Sequence, residues 1–93
     1  MPEEQDENFY ARADAHIDLS NDQCKDERPG RVSASMIYAT SRFNAWVSAT
    51  GFRSGEDMAS ARQETVEYFV QQYRLMLEEN LDEYIQGFDT KMK

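Results

Sequence analysis

Four aspartates near the start of the chain recur every four residues: Asp14, Asp18, Asp22 and Asp26. Residues four apart share one face of a helix, so this aspartate row would be a line of like charge whose neighbours repel by roughly 0.2–0.5 kcal/mol per pair. The plain interpretation is a solvated acidic face. The alternatives are a partner whose lysines or arginines meet the aspartate row and weak binding of a divalent cation, which one line of carboxylates encloses poorly.

Three further side chains are candidate binding residues: His16, Arg42 and Arg62. Arg62 falls in the middle of the apolar face of the predicted third helix. It either extends past the end of the bundle into solvent, pairs with a buried acid, or lines a small pocket. Arg42 flanks the apolar face of the second helix. His16 has no acid three or four residues away, so it is either a packing histidine or a ligand or base completed by another helix.

Catalytic motifs are not apparent in the sequence. A single histidine cannot supply the paired Glu-x-x-His motifs of a di-iron bundle. Phosphate-binding glycine loops, nucleophile elbows and HExxH are missing. Cys24, the only cysteine, projects to the core side. It is either a small buried apolar residue or, less simply, a reactive thiol. We therefore expect no catalytic residues, no metal, no cofactor and no enzymatic activity.

The net charge of −8 limits the partners and the compartment. The charge is −6 over residues 1–24, +2 over 25–62 and −4 over 63–93. Acidic ends repel phosphate backbones, which argues against nucleic acid as a partner. No apolar run approaches the roughly 20 residues of a membrane span, and one cysteine is typical of a reducing compartment. We expect a cytoplasmic protein that contacts neither nucleic acid nor membrane.

Helical periodicity runs through the whole sequence, and no segment alternates as a strand does. The apolar spacing predicts a helix over 8–26, a second over 33–50 with Ser33 as its N-cap, a third from Ser54 to about Glu79, and a short fourth from Asn80. No internal repeat is apparent. The expected fold is all-α: one domain over 1–93, an antiparallel up-and-down bundle of three helices with a short fourth, with 1–7 and 90–93 frayed.

The predicted second helix carries Arg42 as its only charge. A helix that is polar on neither side is normally buried on both. It therefore either lies at the centre of the bundle or is shared with a second subunit. With several surplus aromatic side chains, this pattern predicts a homodimer.

Three segments resemble a bacterial domain-of-unknown-function family, number 3144: FYARADAHIDLSNDQ at 9–23, RVSASMIYATSRFNAW at 31–46 and EYFVQQYRLMLEENLDEYI at 67–85. The resemblance covers nearly the whole chain. It implies an all-helical protein without an established activity, and it carries over no site residues.

Two functions follow as hypotheses. The first is a small non-enzymatic interaction or dimerisation module with an acidic surface, which docks a second copy or a basic protein. The alternative is a small-molecule or metal-binding domain that uses His16, Arg42 and Arg62 in a pocket between helices or subunits.

Overall fold

The computed structural model describes residues 6–92, and this part of the chain is helical without a strand. The helices are α1 (Phe9–Gln23), α2 (Pro29–Ala49), α3 (Gly55–Ser60), α4 (Arg62–Gln86) and α5 (Phe88–Met92). The predicted all-α class is confirmed, while the arrangement as a three-helix bundle stays a prediction. Residues 1–5 and 93, where part of the predicted fraying falls, lie outside the described residues.

The chain divides into two compact units with the boundary between Val47 and Ser48. In the first unit the chain turns between α1 and α2 over residues 24–28. Val32, only 5% exposed, lies on the first turns of α2. Next to this turn, the Ser20 hydroxyl of α1 donates to the Met36 sulfur of α2 over 3.4 Å.

Helix α2 begins four residues earlier than the sequence predicts, at Pro29. Proline suits the first position of a helix because its φ is already helical and an N–H there would have no partner within the helix. The Arg28 carbonyl accepts from the Arg31 and Val32 amides over 3.0 and 3.2 Å, which closes the first turn. The prediction that Ser33 is the N-cap is therefore wrong, since Ser33 already lies inside the helix.

In the second unit, Ser54 caps α3 as predicted. Its backbone is extended and its hydroxyl accepts the Asp57 amide hydrogen over 3.1 Å. The predicted long third helix is nevertheless two helices. Ala61, at φ −99° and ψ 7°, ends α3 and directly precedes α4.

Helix α4 runs through Asn80, where the sequence predicts a boundary. The Asn80 side-chain amide donates to the Met76 carbonyl over 2.9 Å, one turn back, and so does not cap a new helix. The chain leaves the helix at Gly87 instead. A Cβ at Gly87 would lie 3.2 Å from the Lys91 side chain, which reaches back to Glu83 over 3.3 Å.

We expect Ser54→Ala to lower the free energy of unfolding by about 1 kcal/mol, because the Asp57 amide loses its capping acceptor. Denaturant unfolding followed by circular dichroism measures the change. Ser60→Ala is the matched control: the Ser60 hydroxyl donates to the Glu56 carbonyl inside the same helix, a bond that adds little to helix stability. Equal effects of the two substitutions would contradict the capping role.

Candidate interaction surface

The aspartate row is exposed to solvent, but it is shorter on the helix than predicted. Asp14, Asp18 and Asp22 lie on α1, which ends at Gln23. Asp26 therefore lies in the following turn and leaves the helical line. Asp22 forms a salt bridge with Lys25 over 3.1 Å, between two well-exposed side chains. The three aspartates on α1 are thus exposed, while docking of a basic partner on them stays a prediction.

The three other candidate residues are also exposed. His16 lies on α1, Arg42 on α2, and Arg62 is the first residue of α4. Arg62 is therefore not buried on an apolar face, because the break at Ala61 puts it at a helix end. Over residues 6–92, no three His, Cys, Asp or Glu side chains are grouped so that they could hold a metal ion. The binding roles of these residues stay predictions.

Two depressions open on the surface, one in each unit. The first, of about 310 Å³, lies beside the α1–α2 turn and is lined by Gln23, Asp26, Glu27, Arg31, Val32 and Ser35. Arg31, on the first turn of α2, pairs with Glu27 of the preceding turn over 3.4 Å. The charged lining of this depression is thus partly neutralised by its own residues. Apart from Asp26, it contains none of the predicted binding residues.

The second depression, of about 450 Å³, lies where the loop before α3 approaches the first turns of α4. Its lining is Ser48, Gly51, Phe52, Ala61, Glu64, Thr65, Tyr68 and Phe69. The Thr65 hydroxyl donates to the Ala61 carbonyl over 2.9 Å, and the Tyr68 and Phe69 rings meet edge to face at 5.1 Å. This chemistry suits an apolar side chain better than a charged ligand.

Exposed apolar side chains are the dominant surface feature. Among the described residues Val32 is the only buried one in the hydrophobic core. Phe43 and Trp46, one turn apart on α2, are each 63% exposed with ring centroids 5.8 Å apart. Large exposed apolar patches are candidates for surfaces that bind another molecule. The candidate site is thus a set of helix faces and not a pocket.

Sequence reasoning missed part of this surface. Ile37 and Leu75 lie off the predicted apolar faces, and both are more than half exposed. Faces assigned by periodicity assume that the apolar stripe is the buried one. The only signal in the sequence was that these two large apolar residues lie outside the predicted apolar faces.

An ion pair links Asp6, which precedes α1, to Arg12 on the first turn of that helix. The Arg12 guanidinium donates to both carboxylate oxygens of Asp6, over 3.2 and 2.9 Å. These hydrogen bonds lower the pKa of Asp6 below its ordinary value and raise the pKa of Arg12. Both side chains are exposed, so the pair positions the turn before α1 and contributes little stability.

One comparison with known proteins identifies a family for this chain. The chain belongs to a family of proteins of unknown function, DUF3144, whose sequence model matches residues 9–85. No curated protein and no solved structure was found to be similar to the chain. None of the helices in the described part of the chain combines the length and apolar character needed to cross a membrane.

We expect nuclear magnetic resonance titration to show a pKa for Asp6 below that of an ordinary aspartate, and Arg12→Ala to return it to the ordinary value. Because the carboxyl pKa is lowered in the folded state, the pair stabilises the fold at pH values above the unfolded-state pKa. This stabilisation is lost as the pH falls through the folded-state pKa. An unchanged Asp6 pKa in Arg12→Ala would contradict the contact.

Proposed function

We propose that this protein is a non-enzymatic helical interaction module whose principal partner is a second copy of the chain. The observation that carries the proposal is the exposure of its large apolar side chains, while Val32 alone is buried in the described core. The non-enzymatic part rests on the sequence, which has one histidine, one cysteine and no nucleophile–base motif.

The exposed rings of α2 illustrate the energy available to a partner. Covering Phe43 and Trp46 would remove on the order of 100 Å² of surface from water for each ring, worth about 2–4 kcal/mol each. Between Val32 and Ala49, Arg42 is the only charged residue. A helix of this composition is stable where protein covers it on more than one side, and pairing would supply that cover.

The charges support a second class of partner for the same module. The net charge is −8, and Asp14, Asp18 and Asp22 are exposed along α1. A basic protein that docks on the aspartate row would relieve the repulsion between these carboxylates. The free, half-buried thiol of Cys24 is compatible with our proposal that the module works in the reducing cytoplasm.

Sedimentation equilibrium at micromolar concentration tests the principal partner. The expected mass is twice the 10.8 kDa of one chain. Because association stabilises only the folded state, the midpoint of thermal unfolding should also rise with protein concentration. A mass of 10.8 kDa together with a concentration-independent midpoint would refute the proposal.

A further inference from the structure

Helix α4 carries a straight line of apolar side chains. Seven positions recur with spacings of 4, 3, 4, 4, 3 and 4 residues, six on α4 and the last immediately after Gly87: Val66, Val70, Tyr73, Leu77, Leu81, Tyr84 and Phe88. At about 100° per residue the six on α4 occupy a strip roughly 80° wide with Leu77 at its centre. Each is 41–52% exposed. We call these seven residues the α4 stripe.

The α4 stripe is an eleven-residue repeat. Position by position, Val66 matches Leu77, Val70 matches Leu81 and Tyr73 matches Tyr84. An eleven-residue period is close to three turns of an α-helix, so the stripe runs nearly parallel to the helix axis. The repeat becomes visible only because α4 continues through Asn80; a boundary there would divide it between two helices.

The spacing of the α4 stripe is the same in both directions. A second copy of α4 laid antiparallel, with Leu77 facing Leu77, therefore sets apolar positions opposite apolar positions from Val70 to Tyr84. In this register Tyr73 faces Leu81 and Val70 faces Tyr84. Each tyrosine ring meets an aliphatic side chain, the alternation of large and small residues by which facing helices fill space.

The flanking charges fit the same register. Arg74 and Glu78 lie on one side of the α4 stripe, and neither forms an ion pair within residues 6–92. In an antiparallel pair centred on Leu77 they lie about 3 Å apart along the axis. Arg74 of each copy therefore reaches Glu78 of the other, which gives two reciprocal salt bridges.

The exposed area of the α4 stripe is also large enough for a dimer interface. The exposed halves of seven large apolar side chains amount to on the order of 600 Å² per copy, close to the roughly 800 Å² per partner of a standard interface. Lys91 lies over the Tyr84 ring at 5.6 Å and leaves half of that side chain exposed.

From these observations we propose that the chain forms its dimer by antiparallel pairing of α4 with α4 of a second copy, centred on Leu77. This rests on the proposed function and assigns its interface. The palindromic spacing and the reciprocal charges make a second copy, and not an unrelated helix, the matching occupant.

Disulfide crosslinking tests the register in full-length protein with Cys24→Ser. Facing helices 8–10 Å apart bring the Cα atoms of directly opposed central residues to about 3.5–5.5 Å, which overlaps the range of a disulfide. We expect L77C to form a covalent dimer when oxidised glutathione accepts the two thiol electrons. L75C is the matched control, since Leu75 lies on the opposite side of α4 and is 51% exposed; it should stay uncrosslinked.

The antiparallel direction has its own test. Two copies of V70C, or two of Y84C, would be separated by about 21 Å along the axis and should not crosslink, whereas a mixture of V70C and Y84C should. Crosslinking of V70C alone would show a parallel pair. A wild-type dimer with no L77C crosslink would overturn this interface and leave the module intact, whereas a wild-type monomer would refute both.

Charge exchange tests the reciprocal salt bridges. R74E and E78R alone each place like charges across the interface, and we expect each to raise the dimer Kd roughly 3- to 30-fold. A mixture of the two variants should form the heterodimer preferentially, because both cross-pairs are then attractive. If the two substitutions acted only within their own helix, the mixture would show no such preference, and this result would contradict the pairing.

Discussion

Removal of apolar surface from water is the constraint on which this structure depends. Helices α2 and α4 present aromatic and aliphatic side chains around much of their circumference, and within the described residues the hydrophobic core contains only Val32. A chain of 93 residues has little interior to offer, because small domains bury a low fraction of their surface. The hydrogen bonds within a helix form without a core, whereas its apolar side chains are buried only where other protein covers them. The missing burial is what makes association the central functional proposal.

Local chemistry accounts well for how the helices begin and end. Ser54 caps α3 through the Asp57 amide, and Pro29 begins α2 because its backbone is already helical. Gly87 ends α4 where the Lys91 side chain approaches. Asn80, by contrast, resembles a cap in the sequence and yet hydrogen bonds back to Met76 inside a continuous helix. Capping residues thus indicate where a helix can begin, and the competing hydrogen bond decides whether it does.

Charge and apolar surface play separate parts. The aspartate row on α1 is exposed and, apart from Asp22 with Lys25, makes no salt bridge in the described part of the chain. Exposed acids of this kind affect which partners approach and how fast more than how tightly they bind. The α4 stripe offers the opposite combination, a long apolar line with few flanking charges. Affinity would come from α4 and partner selection from the charges beside it and on α1.

The sequence by itself determined the all-α class, the Ser54 cap, the nearly uncharged second helix and the family, because periodicity and capping are properties of neighbouring residues. It did not determine the break at Ala61, the continuity of α4 through Asn80, or the exposure of Arg62 at a helix end. The candidate site depended on these features. Arg62 does not lie on an apolar face, Asp26 lies outside the helix that carries the rest of the aspartate row, and the α4 stripe is continuous on one helix. Only the tertiary structure decided these features. Several backbone paths are locally acceptable, and hydrogen bonds and packing select one of them.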